Sequence, residues 1–176
     1  MSGLIGKKFT LDPTLGCSPG NARDGVVLKG YGASLTESNG TAKLEKCEAG
    51  AGLWVPYAET KAVVGYMTGS QIWVASGPFS GCQFAIVKGG GLVFAAHIAQ
   101  QSGSTGAEDY AKYRSESGLS EWYMNKIPMP NQMAFSCSYV FVLCGDGGIN
   151  HMARVDVNVT TMGGSNGTVT NVHTFK

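Results

Sequence analysis

A chain of 176 residues can build one domain with a real hydrophobic core and is too short for two comfortable ones, so a single domain spanning 1–176 is expected. Twenty-six glycines against only 14% charged residues exclude a helix-dominated protein and favour strands joined by many turns. The net charge of +1, with Lys and Arg scattered singly, excludes a basic stripe along a phosphate backbone, so nucleic acid is not an expected partner.

The start, Met1-Ser2-Gly3-Leu4-Ile5-Gly6-Lys7-Lys8, lacks the cationic end, apolar run and cleavage site of a secretory leader. No stretch approaches the ~20 apolar residues that span a bilayer, so a soluble chain without membrane insertion is expected. Five cysteines, Cys17, Cys47, Cys82, Cys137 and Cys144, leave at least one thiol unpaired within the chain. None forms a CxxC or another metal-ligand spacing, and a reduced compartment is favoured; thiol–imidazole chemistry of the kind the chain carries needs no metal or organic cofactor. A Cys17–Cys47 disulfide stays open for an exported protein. The sequons at Asn39, Asn158 and Asn166 read as chance patterns.

In chain order, residues 1–60 read as a loop-rich region with brief strands such as Val26-Val27-Leu28. Ala62 to Met67 and Gln71 to Ala75, separated by Thr68-Gly69-Ser70, read as a hairpin or two neighbouring strands. Cys82 to Lys88 and Leu92 to Ala99 are apolar on both faces, as central strands covered on both sides require. Glu108 to Arg114 and Ser120 to Lys126 read as short helices, the second capped by Ser120 and stopped by Pro128. Met133 to Cys144 is the longest extended segment. It returns after Gly145-Asp146-Gly147-Gly148 as His151 to Thr160, where Val155, Val157 and Val159 alternate with Arg154, Asp156 and Asn158 and predict one buried and one wet face. After Gly163 to Gly167, Thr168 to Phe175 reads as an edge strand. The fold class expected is α+β and mostly β: a β-sandwich or curved mixed sheet with short peripheral helices.

The chemistry concentrates between Ser80 and His97. With Gly89-Gly90 at the centre of a two-residue turn, Lys88 faces Gly91 and Cys82 faces His97. Opposed side chains of an antiparallel pair share a face with Cβ atoms roughly 4.5 to 5.5 Å apart, within reach for a thiol and an imidazole. A three-residue turn would instead bring Ile98 opposite Cys82. A free thiol near pKa ~8.5 is mostly neutral, and a neighbouring imidazolium can stabilise its thiolate and later protonate a departing amine. Cys82 is therefore the candidate nucleophile and His97 the candidate base. The main-chain amides of Ser80, Gly81 and Cys82 are candidates for holding a tetrahedral oxyanion. Packing is the ordinary use of a Cys on an apolar strand. Cys144 with His151 forms a weaker second pair, because no comparable register constrains it, and His173 reads as a surface residue.

Phe79-Ser80-Gly81-Cys82, with His97 fifteen positions after the cysteine, resembles the Leu-Ser-Gly-Cys motif and downstream histidine of bacterial glutamine-deamidase toxins, with Phe79 where that family has leucine. These are the cytotoxic necrotizing factor catalytic domains and the related Burkholderia lethal factor. The resemblance covers residues 76–99. It implies a β-sandwich core, Cys82 as nucleophile, His97 as base, and cysteine-dependent conversion of a protein glutamine to glutamate with release of ammonia. In the lethal-factor relatives a hydroxyl residue shortly before the motif orients the histidine, which points to Ser76. Its ordinary reading is a turn former beside Gly77-Pro78, and Thr68 and the carbonyls of Val63 to Met67 compete for the role.

A protein substrate for a toxin or effector follows from the same resemblance, as does action in a recipient-cell cytoplasm after export without a standard signal peptide; a monomer is expected. Trp54, Tyr57, Trp73, Trp122 and Tyr123 are candidates for a docking rim. A cysteine peptidase, a transglutaminase-like acyltransferase and a non-enzymatic β-sandwich binding protein are the competing readings.

Overall fold

The computed structural model describes residues 2–16, 22–23, 25–89, 92–118, 120–130, 135–145, 148–159 and 166–175. Its first half carries β1 (Lys8–Leu11), β2 (Ala22–Arg23), β3 (Val26–Leu28), β4 (Tyr31–Ser38), β5 (Thr41–Lys46), β6 (Gly52–Pro56) and β7 (Ala62–Tyr66). Then come β8 (Trp73–Phe79), β9 (Gln83–Gly89), β10 (Leu92–Ile98), α1 (Gly106–Ser117), β11 (Ser120–Lys126), β12 (Ser136–Gly145), β13 (Gly148–Val159) and β14 (Gly167–Thr174). The chain is thus mostly β with one α-helix among the described residues, as composition predicted.

Eight strands close into a barrel in the order β1-β14-β13-β12-β8-β6-β4-β5, and six form a second sheet in the order β11-β9-β10-β7-β3-β2. Side-chain alternation explains why these pack as layers. Along β12, Cys137, Tyr139 and Phe141 point into the barrel with Phe9, Trp54, Val155 and Val157. Val140 and Val142 point outward and meet Val63, Phe84, Ile86 and Ala95 of the second sheet. The far face of that sheet, with Val64, Ala85, Val87, Phe94, Ala96 and Ile98, is covered by Tyr110 and Tyr113 of α1. β9 and β10 are therefore buried on both faces, which is what their unbroken apolar runs require.

Several sequence expectations change. Residues 1–60 are not loop-rich: β4, β5 and β6 fill much of Tyr31 to Pro56. Their Ser, Thr and Gly content disguised β4 and β5, which bury only Ala33 and the pair Ala42 and Leu44 respectively. β7 and β8 are not partners, since the chain passes from the second sheet to the barrel between them; β8 pairs with β6 and β12. The Ser120 to Lys126 segment is a strand against β9, not a helix. Tertiary pairing overrides its weak local preference, because its backbone completes the ladder beside β9. β14 is not an edge: it pairs with β13 and also with β1, and so closes the barrel. The face of β13 bearing Arg154 and Asp156 is not simply wet, since Asp156 is buried.

Residues 163–165 of the last turn, Asp146, Gly147, Met133, Ala134 and Cys17 lie outside the described residues. Cys47, Cys82, Cys137 and Cys144 carry free thiols. Among the described residues no helix is long and apolar enough to cross a membrane, and no three His, Cys, Asp or Glu gather as metal ligands.

Candidate active site

The hairpin register differs from the one that Gly89-Gly90 predicts. Gly89 faces Leu92, and so His97 lies opposite Phe84 and Ile98 opposite Gln83. Gly90 and Gly91 lie outside the described residues. The shift is two residues, so every side chain keeps its face and Cys82 and His97 stay on the same side as diagonal neighbours. Cys82 stands just before β9, where its carbonyl accepts from Ile127 N–H at 2.9 Å. Gly81 enters this corner at φ +111°, a conformation that a side chain would strain, and this fixes how Cys82 approaches the sheet.

His97 is fully buried between the two sheets, with β9 and β7 as its strand neighbours. The Phe79 ring from β8 stacks on the imidazole, centroids 4.0 Å apart and planes 11° apart. Ser76, also on β8 and fully buried, reaches His97 Nδ1 with Oγ at 3.0 Å and the Val55 carbonyl at 2.7 Å. Ser76 has one hydroxyl proton and a carbonyl can only accept, so Oγ donates to Val55 and Nδ1–H of His97 donates to Oγ. The imidazole tautomer is thereby set, and the lone pair is on Nε2. That nitrogen is buried and forms no hydrogen bond to any described residue, Cys82 included.

Burial alone holds His97 down at about 3. Cys82 is 8% exposed, and burial pushes its thiol up against the smaller opposing effects of the Gln100 main-chain N–H on its sulfur and the charge of Lys126. Both groups rest neutral. The thiolate–imidazolium pair expected from the sequence is therefore not the resting state: the site is too dry to hold two charges.

Ser76 thus sits inside a strand rather than at a turn, and Thr68 is not the partner of Nδ1; its N–H bonds Gln71 Oε1 instead. The Val55 carbonyl, Gln100 and Gln101 were missed. Val55 is hidden in an apolar strand, whereas the polar Gln100-Gln101 pair directly after Ile98 and Ala99 was a usable signal. Of the rim aromatics, Trp54 lies inside the barrel with its ring N–H on the Leu15 carbonyl at 2.9 Å, and Trp73 packs on Phe141. Trp122 and Tyr123 are half-buried on β11, and Tyr57 tilts against His97 at 5.2 Å.

The second Cys–His pair is not assembled, because Leu143 rather than Cys144 faces His151, and burial pushes the Cys144 thiol up to about 11. His173 is not a bare surface residue. Its Nε2 lies 3.0 Å from Asp156 Oδ2, while Ser138 Oγ donates to Oδ1 at 2.8 Å and Arg154 donates to Oδ2 at 3.2 Å.

No protein-family model matches the chain, and no curated protein matches it. Among solved structures, it is similar to the C-terminal domain of CNFy from Yersinia pseudotuberculosis, with 11% identity and a TM-score of 0.38. The likeness covers 70% of this chain and 61% of that one, and is too slight to assign a family or to carry over the role of any residue.

Proposed function

We propose that this chain is a cysteine-dependent protein glutamine deamidase. The observation that carries the reading is the Ser76–His97 hydrogen bond, which leaves a bare, buried Nε2 on the same face as Cys82. A base nitrogen with no partner in a dry interior is costly for packing alone and useful for taking a proton. The resemblance of Ser80-Gly81-Cys82 and His97 to the glutamine-deamidase toxins supports the choice of reaction, and with it a toxin or effector role.

Because thiol and imidazole rest neutral, proton transfer accompanies attack. Cys82 Sγ bonds to the glutamine carboxamide carbon as its proton passes to His97 Nε2, and the carbonyl π pair moves onto oxygen. The pair returns as the C–N bond breaks, His97 hands the proton to nitrogen, and ammonia leaves a thioester. Water, deprotonated by the same Nε2, then releases glutamate and restores the thiol. Ser76 Oγ holds the ring in place throughout.

The 8% exposure of Cys82 favours a slender side-chain amide over a main-chain peptide bond, which would need a broader cleft. This favours deamidation over the peptidase reading. The test is intact-mass analysis of lysate proteins incubated with the wild type and with Cys82→Ala. A gain of ~1 Da on one glutamine that depends on Cys82 is expected, whereas fragments or amine adducts would assign peptidase or acyltransferase chemistry instead.

A further inference from the structure

The chain leaving β10 ties together two groups that the sequence does not connect. The main-chain N–H of Gln100 bonds Cys82 Sγ. The next residue, Gln101, donates its Nε2–H to Tyr57 Oη at 3.0 Å. Consecutive residues therefore each hold one of the two groups, and Cys82 and Tyr57 border the same apolar cluster. Tyr57 follows β6, the strand whose Val55 carbonyl anchors Ser76, and its ring rests against His97.

Tyr57 Oη accepts from Gln101, so that bond does not use its own proton, and no described acceptor takes it. Burial first, with the nearby Cys82 sulfur and Glu59 adding to it, pushes the phenol ionisation up against the Gln101 hydrogen bond, so Tyr57 stays protonated at neutral pH. A half-buried phenol O–H near a nucleophilic sulfur, its oxygen held by a separate donor, is an arrangement that can stabilise charge developing on an attacked carbonyl.

We propose that Tyr57 Oη–H donates the hydrogen bond that receives the oxyanion formed when Cys82 attacks an acyl carbon, with Gln101 as its positioning residue. The inference rests on the reading of Cys82 as an acyl-accepting nucleophile. The carbonyl π pair moves to oxygen under this hydrogen bond and returns when the leaving group departs; Tyr57 transfers no proton.

Two small probes on the intact chain separate this from the underlying reading. Iodoacetamide alkylates a thiol by displacement at a methylene and develops no oxyanion, whereas p-nitrophenyl acetate acylates it through one. Tyr57→Phe keeps the ring against His97. It is expected to alkylate at Cys82 within about twofold of wild type while acylation, followed by p-nitrophenol release and intact mass, slows roughly 10- to 100-fold. Gln101→Ala is expected to slow acylation by about 3- to 10-fold in the wild-type background and not at all when added to Tyr57→Phe. Undiminished acylation in Tyr57→Phe would overturn the assignment, as would an equal loss of both reactions, which would make the residue mere packing. A wild-type Cys82 whose alkylation and acylation are both indifferent to His97→Ala would instead remove the nucleophile reading, and this assignment with it.

Discussion

Two clusters in this molecule combine a buried serine with an imidazole, and they are solved in opposite ways. Around His97 the partners are the Ser76 hydroxyl, the Val55 carbonyl and the Phe79 ring, all without charge. Around His173, whose side chain is 39% exposed, the partner is the Asp156 carboxylate, itself bound by Arg154 and Ser138. The second cluster meets its polar atoms with opposite charge at the edge of solvent: even Arg154 Nε, which forms no hydrogen bond to a described residue, lies 2.9 Å from Asp156 Oδ1. It stands as a structural clasp across β12, β13 and β14. The first keeps charge out and leaves one nitrogen unmet. An unspent lone pair in a dry place, rather than the mere nearness of Ser and His, distinguishes a site poised for proton transfer.

The largest effect that would break this contrast is chemical. Cys82→Ala and His97→Ala are expected to lower glutamine turnover by at least about 10³-fold, read by product mass, while His173→Gln leaves it unchanged. If His173→Gln were as damaging as His97→Ala, the two clusters would not be distinct.

Next comes acid. The folded pKa of His97, about 3, lies below its ordinary 6.5, so neutral His97 contributes no penalty above pH ~6.5, where folded and unfolded forms are both unprotonated. Below that the unfolded chain binds a proton that the fold refuses. Stability should fall by ~1.4 kcal/mol per pH unit down to about pH 3, or ~5 kcal/mol in all. Urea unfolding of wild type and His97→Asn between pH 7 and 4 checks this, since the carboxylates shared by both proteins cancel in the difference. Parallel curves would mean that His97 is not buried neutral.

Removing the centre of the charged clasp should cost less. Asp156→Ala strands Arg154 and the Ser138 hydroxyl, for a loss of about 3 kcal/mol in chemical denaturation. Ser76→Ala strands His97 Nδ1–H while freeing the Val55 carbonyl, for about 2 kcal/mol, together with a loss of His97-dependent alkylation of Cys82. That coupling of stability to reactivity is expected at Ser76 and not at Asp156, and measuring both on both variants sharpens the comparison. Smallest is His173→Gln: its pair is part-exposed and screened, and the change should stay under about 1 kcal/mol.

Much of this was written in the chain, though unevenly. The apolar runs of β9 and β10 declared central strands, and the Val155, Val157 and Val159 alternation declared an inward face, because burial on two faces or one leaves a direct mark on residue type. Strands such as β4 and β5 left a fainter mark, since only Ala33 of β4 and Ala42 and Leu44 of β5 are buried. The barrel was illegible for a different reason: β14 looks like an edge until β1, far off in sequence, is seen to pair with it.

A two-residue turn at either place in Gly89-Gly90-Gly91 brings Cys82 and His97 onto one face, because the two-residue period of a strand is indifferent to a register slip of two, whereas a three-residue turn would not. The sequence alone could not choose the register itself, since three consecutive glycines offer more than one place to turn and periodicity gives no reason to prefer either. Only the packing of the second sheet on the barrel decided that Ser76 meets Nδ1, that Phe79 seals the ring, and that both reactive groups rest neutral. Those outcomes depend on which surfaces exclude water together, a property of neighbours distant in the chain rather than of any segment by itself.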